Sequence, residues 1–234
     1  MAASLRQRYE ALQVDEALAA YPGLRIVPSL NGHLTVRGVL DFRAKARQGE
    51  EISDSYIVEL RIRSGFPTDL PDVWETGGRV AADYHTLEDG QLCLGAPTEI
   101  RRRLKSNPTL LGFINKIVVP YLYGHAYFNK HAEMPFGQLD HGVDGLRQQL
   151  AAMFGSHGGD GPEEFLRLTG MKKRDANKQP CPCGSGRRLG RCHNRSVNRQ
   201  RCRIGRLWFR AEYVRVTKHF DKLESRSYWR QPKG

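Results

Sequence analysis

The sequence predicts an α+β protein: a helix, an antiparallel meander and C-terminal helices, followed by a small zinc-binding module and a basic helical tail. Three observations carry this. Two runs, HLTVRGVLDF and SYIVELRIR, place apolar residues at every second position, the period of a strand with one buried face. Segments with helical apolar spacing lie on either side of them. Residues 181–193, CPCGSGRRLGRCH, hold three cysteines and a histidine in the order Cys-x-Cys, eight residues, Cys-His.

In chain order, Ser4 can cap a first helix whose apolar residues Leu5, Tyr9, Leu12 and Leu18 recur to about Ala20, and Tyr21-Pro22-Gly23 stops it. A short strand, LRIVPSL, comes next. Asn31-Gly32 then signals a hairpin into the run that aligns Leu34, Val36, Leu40 and Phe42. The following run aligns Tyr56, Val58, Leu60 and Ile62. In GFPTDLPDVWETGGRV, Pro67 and Pro71 disfavour a central strand, and DVWE suits a short edge strand. TLLGFINKIVV is helical and should end or kink at Pro120. Val143, Leu146, Leu150 and Met153 mark another helix, closed by Gly155. GSHGGDGP, residues 155–162, has the composition of a flexible joint. PEEFLRL starts a short helix with Pro162 in its first turn. Near the C-terminus Ile204, Leu207, Trp208, Ala211, Val214 and Phe220 line one side of a helix, with Arg203, Arg206, Arg210, Lys218 and Lys222 largely elsewhere around it. The chain has no internal repeat.

The 234 residues suit one sizeable domain and an appendage, or two small domains. No stretch reaches the roughly 18 uncharged apolar residues of a membrane span. The start, MAASLRQRYEAL, lacks the apolar region of a signal peptide, so a cytoplasmic protein with no membrane partner is expected. The net charge of +12 is unevenly placed: residues 171–234 hold 19 Lys+Arg against 4 Asp+Glu, a net of +15, and residues 1–170 sum to −3. A near-neutral body therefore carries a strongly basic tail.

The five cysteines are Cys93, Cys181, Cys183, Cys192 and Cys202. An odd number with three clustered does not form a disulfide framework and suits metal binding instead. Cys181, Cys183, Cys192 and His193 offer three thiolates and an imidazole, the donor set of tetrahedral Zn²⁺ in a closed, structural site. Gly184, Ser185 and Gly186 let the backbone turn over the metal. Arg187, Arg188 and Arg191 would offset the thiolate charge. The CPCGSG string and the ligand spacing resemble the SEC-C zinc motif found at the C-terminus of the SecA translocation ATPase and appended to many bacterial proteins. That motif usually has Lys and an aromatic where this chain has Arg187, Arg188 and Leu189, which leaves the ligands intact. The resemblance implies a small docking module that meets acidic protein or ribosomal surfaces.

Residues 84–95, YHTLEDGQLCLG, place Cys93 just past an Asp-Gly turn and between two leucines. By its neighbours alone, Cys93 is either a packed small hydrophobe or a nucleophile. The stretches SYIVELRIRSGFPTDLPDVWETGGRV and YHTLEDGQLCL resemble the ubiquitin-conjugating enzyme family. Phe66-Pro67, Pro71, His85, Gly90, Cys93 and Leu94 stand where that family has its aromatic-Pro…Pro loop, its His-led segment and its Gly-x-x-Cys-Leu. VPYLYGHAYF and LDHGVDGL are similar to bacterial members, which sit in antiphage-defence and ubiquitin-like conjugation operons. The resemblance covers residues 1–155 as one domain. It leaves 156–180 as linker and short helix, 181–193 as zinc motif and 194–234 as basic helical tail.

What the resemblance implies is a transferase. Cys93 would accept, from an activating enzyme, the C-terminus of a ubiquitin-like modifier or of a protein with a similar tail, and pass it to an acceptor amine. Eukaryotic members follow the histidine with Pro-Asn, the Asn stabilising the oxyanion; here His85 precedes Thr86 and Leu87, so another donor or a different transfer chemistry is required. His85, His125 and His141 are the candidate proton-transfer groups, with His85 also read as the residue that orders the loop. His125 and His131 are six apart, a spacing that does not place them together on a helix face. Arg101-Arg102-Arg103 is a solvated face or a partner-docking patch. The tail, with Trp208, Phe209 and Tyr213 among its cations, suits phosphate contacts and base stacking on nucleic acid, or an acidic protein partner. The competing readings are an inactive adaptor of the same fold and a nucleic-acid- or ribosome-associated zinc protein.

Overall fold

The computed structural model describes residues 9–28, 33–46, 49–87, 89–133, 142–156 and 161–229. Ser4, the Asn31-Gly32 turn and His141 lie outside the described residues, as do the side chains of Val143, Phe220 and Lys222. The chain forms two compact units, Met1–Gln138 and Leu139–Gly234.

The first unit is built on a four-stranded antiparallel sheet in the order β1 (Leu24–Val27), β2 (Leu34–Lys45), β3 (Glu51–Ile62), β4 (Asp72–Glu75). β2 and β3 pair along their whole length, from Leu34 opposite Ile62 to Lys45 opposite Glu51. In this register Leu34, Val36, Leu40 and Phe42 lie on the buried face with Tyr56, Val58, Leu60 and Ile62, as their period of two requires. DVWE forms the short fourth strand, with Val73 opposite Leu60. Gly38 has φ 147°, and a Cβ there would lie 2.1 Å from the Gly23 carbonyl oxygen, so β1 can approach β2 this closely only at a glycine.

The first helix differs from the sequence expectation. The helical turn at residues 9–11 breaks at Leu12 and Gln13, the latter left-handed at φ 49°, and α1 (Val14–Ala20) starts anew. The reason is tertiary: the Leu12 carbonyl accepts the Leu110 N–H at 2.9 Å instead of continuing the helical ladder, and Leu12 itself is buried. α2 (Pro97–Leu104) buries Thr98, Ile100 and Leu104. Thr109 caps α3 (Leu110–Phe113), its hydroxyl accepting the Gly112 N–H at 3.0 Å. A π-helical turn (Ile114–Val118) then leads into α4 (Val119–His131). The helix therefore runs through Pro120 rather than stopping. Val119 N–H reaches back five residues to the Ile114 carbonyl, and this wider turn sits where the proline removes a donor and crowds the preceding turn. α4 packs on β2 and β3 and closes the core with Leu122, Tyr123 and Ala126.

The second unit is helical: α5 (Gly142–Phe154), α6 (Glu164–Gly170), α7 (Lys173–Ala176), a 3₁₀ turn (Leu189–Arg191), α8 (Asn194–Ile204) and α9 (Arg206–Trp229). The sequence grouped residues 142–154 with the preceding segment, but α5 belongs to this unit and packs with α8 and α9. It buries Leu146, Leu150 and Phe154, and Met153 is half-buried. Residues 164–170, expected as the short helix of a linker segment, supply core side chains: Phe165, Leu166 and Leu168 are buried, and Phe165 stacks on Phe154 at 5.0 Å.

α9 buries a different face from the one the sequence suggested. Phe209, Glu212 and Val216 point inward, while Leu207 is 70% and Val214 47% exposed. Gly205, at φ 100°, breaks the helix after Ile204, so the expected single face changes phase there. Among the described residues no helix is long and apolar enough to cross a membrane.

Candidate functional sites

Residues 84–87 and 89–93 form the two limbs of a small hairpin on the β4 side of the sheet. Thr86 pairs with Leu92, Leu87 N–H bonds the Gln91 carbonyl at 2.7 Å, and Gly90 turns at φ 77°. The Leu92 N–H donates to Val73 at 2.8 Å and Trp74 pairs with Gln91, which ties the hairpin to β4. Leu92 is buried beneath it. Cys93 ends the second limb, its N–H donating to the His85 carbonyl at 2.7 Å, and the residue is partly buried.

An aromatic cluster from α4 and β3 supports this hairpin. The Tyr121 hydroxyl lies 3.0 Å from the Tyr84 carbonyl oxygen and 3.1 Å from that of His85. Burial, with smaller contributions from neighbours that include Cys93, holds the Tyr121 phenol far above its usual pKa, so the hydroxyl stays a donor. The Tyr84 ring lies edge-on to His85 at 5.3 Å, Tyr121 at 5.9 Å and His125 at 4.7 Å. His85 adopts φ 41°, a left-handed conformation that a residue with a side chain holds only when its surroundings enforce it.

His125 is buried at 2% exposure, its Nδ1 2.8 Å from the Tyr56 hydroxyl. Burial, reinforced by the nearby Arg79 cation, lowers its pKa and favours the neutral imidazole. Neutral Nδ1 can accept the Tyr56 proton. Arg79 stands over the Tyr56 ring at 4.1 Å and binds Asp54 through two nitrogens, each at 2.8 Å. Of the histidines singled out from sequence, His85 thus meets Cys93 through its backbone, and His125 meets the hairpin through the Tyr84 ring. Tyr121 and Tyr84 were missed; the signal for Tyr121 was its place one helical turn before His125. His131 pairs with Glu50 at 2.7 Å. In the arginine run, Arg102 and Arg103 bind Glu99, and Arg101 donates to the Thr68 carbonyl at 3.0 Å.

The second site is the cysteine cluster. Residues 179–181 and 187–189 form two short limbs: Cys181 N–H bonds the Arg187 carbonyl at 2.8 Å, Leu189 N–H bonds that of Gln179 at 2.8 Å, and Pro180 pairs with Arg188. Gly184 and Gly186, at φ 75° and 69°, make the turn between them. Leu189 is buried under the loop. Cys192 follows the 3₁₀ turn, and His193 opens α8.

The ligand atoms of Cys181, Cys183, Cys192 and His193 all lie within 4.8 Å of one another. His193 Nδ1 is 3.2 Å from the Cys181 sulfur and 3.3 Å from that of Cys192, and the sulfurs of Cys183 and Cys192 are 3.5 Å apart. Four ligands around zinc, with Zn–S near 2.3 Å, would stand about 3.7 Å apart, so the cluster needs only small adjustments to close on a tetrahedral ion. Burial raises the pKa of Cys181. At Cys183 burial works the same way, but hydrogen bonds from the Ser185 hydroxyl and backbone outweigh it and favour the thiolate. The donor set is compatible with a metal such as zinc.

Of the tail aromatics proposed for base stacking, Phe209 is buried, Trp208 packs edge-on against it at 4.9 Å, and the Tyr213 hydroxyl binds Glu164 at 3.1 Å. No curated protein and no solved structure matches the chain. Residues 178–195, which include all four cluster ligands, match the SEC-C motif.

Proposed function

We propose that the first unit is a ubiquitin-conjugating-like transferase with Cys93 as its thioester-forming residue, and that the second unit recruits a partner through a zinc-supported module. The observation that carries the reading is the setting of Cys93. A packed hydrophobe would be buried like Leu92; Cys93 instead ends a hairpin pinned to the sheet and, as a residue, is only partly buried. The order of helix, four-stranded meander, proline-bearing loop and cysteine hairpin also supports it.

Thioester exchange needs little more than a reachable sulfur, with the thiolate as the attacking form. The Cys93 thiolate attacks the thioester carbonyl of the modifier's C-terminus on an activating enzyme; a new C–S bond forms and the activating enzyme's thiolate leaves. An acceptor amine then attacks that carbonyl, a C–N bond forms, the Cys93 thiolate is expelled, and the amine loses a proton to solvent or a nearby base. His85 serves this site by shaping the hairpin. His125, neutral and enclosed, supports it from below. Zinc, held by Cys181, Cys183, Cys192 and His193, would cross-link the loop that these residues close and take no part in the transfer. The commitment of Phe209 and Tyr213 to internal contacts favours an acidic protein over nucleic acid as the tail's partner.

The test combines the chain with an activating enzyme and a ubiquitin-like modifier encoded beside it. A reductant-labile adduct of one modifier per chain, lost in Cys93→Ala, is expected. Absence of any adduct, together with a Cys93 that resists iodoacetamide until the protein is denatured, would establish the inactive adaptor instead.

A further inference from the structure

The carbonyls of the last two residues of α5, and of Gly155 just after it, meet side chains from α8 and the residue before it, while those of Ala151 and Ala152 accept the Ser156 and Gly155 N–H groups. Gln200 Nε2 donates to the Met153 carbonyl at 2.9 Å, Ser196 Oγ donates to that of Phe154 at 2.5 Å, and His193 Nε2 lies 3.2 Å from the Gly155 oxygen. His193, Ser196 and Gln200 are three and four residues apart and so share one side of α8. Carbonyls at a helix end lack partners within the helix; here one row of side chains supplies those of Met153 and Phe154.

His193 is also the imidazole of the cysteine cluster. Its Nδ1 faces the sulfurs of Cys181 and Cys192, and its Nε2 faces Gly155. A carbonyl oxygen accepts only a protonated Nε2. In a neutral imidazole that leaves Nδ1 with the lone pair, the form a metal ion takes up. Packing follows the same path: the ring of Phe165 meets His193 edge-on at 5.3 Å and stacks on Phe154, the last residue of α5.

We propose that the C-terminal end of α5 is the outer shell of the metal site, so that metal binding and the seating of α5 are one coupled equilibrium. The proposal rests on the zinc reading of the cluster and extends the site to Gly155, well outside the matched motif at 178–195. Linkage makes the coupling reciprocal: the factor by which metal favours seated α5 is the factor by which seated α5 tightens metal binding.

The test uses the full chain. Metal content is measured first; a chain that takes up no stoichiometric zinc overturns the zinc reading and this proposal with it. Backbone hydrogen exchange is then compared between zinc-loaded and chelated protein. Protection over residues 145–154 should fall by about tenfold or more on chelation, while β2 and β3 keep theirs. Separately, Ser196→Ala combined with Gln200→Ala removes two of the three helix-end bonds and touches no ligand. Competition with a chelator of known affinity should show its zinc binding weakened by about tenfold, within the range of outer-shell changes elsewhere. Wild-type zinc affinity in the double variant overturns the coupling, as does an α5 that stays protected in the metal-free chain.

Discussion

Replacing Tyr121 by phenylalanine removes one hydroxyl and keeps the ring. That hydroxyl shares its proton between two carbonyl oxygens, of Tyr84 at 3.0 Å and of His85 at 3.1 Å. The loss is therefore that of about one half-buried hydrogen bond, about 1 kcal/mol. The cost falls at a specific place. His85 is held left-handed at φ 41°, and its carbonyl also accepts the Cys93 N–H at 2.7 Å. Releasing the clamp lets this turn relax, and 1 kcal/mol raises the population of the opened hairpin about fivefold. Alkylation of Cys93 by iodoacetamide should quicken by up to about that factor, read by mass spectrometry of the Cys93 peptide, with exposed Cys202 as the internal reference. Tyr123→Phe is the control: its hydroxyl, two residues on, donates to the Glu50 carbonyl at 2.9 Å. It should lower stability by a similar amount and leave the Cys93 rate alone. An unchanged rate in Tyr121→Phe, or an equal rise in Tyr123→Phe, would refute the clamp.

Burial depresses the pKa of His125, so the unfolded chain binds a proton at a higher pH than the folded one. The neutral imidazole's contribution is complete above the unfolded value of about 6.5 and is lost as pH falls through the window below it. Urea melts of the wild type should show this acid loss, and His125→Gln, which keeps an acceptor for Tyr56 but does not titrate, should lack it. Leu40→Ala empties a fully buried position on β2 and should cost about 2–5 kcal/mol in the same melts. Gly38→Ala forces a side chain to φ 147° and against the Gly23 carbonyl, so it should cost about 2 kcal/mol or more and loosen β1, seen as faster amide exchange at Leu24–Val27. Cys192→Ser removes a thiolate from the cluster and should abolish stoichiometric zinc in the purified chain, measured by elemental analysis.

The sequence alone determined what is local. Alternation in β2 and β3 settled their inner face, because one residue of slip would turn every apolar side chain to water. Cys-x-Cys and Cys-His at close spacing marked the Cys/His cluster, because potential ligands near in sequence on a glycine-rich turn can gather with little further folding. The tertiary structure decided what depends on partners far along the chain. The break at Leu12 follows from the amide of Leu110. Gly205 changes the buried face of α9, where the apolar period of the sequence runs on without a break. The surroundings of Cys93 come from Tyr121, and the far side of the Cys/His cluster from the end of α5. These are hydrogen bonds and ring contacts between residues tens of positions apart, and periodicity, which registers only neighbours within a turn or a strand, is blind to them.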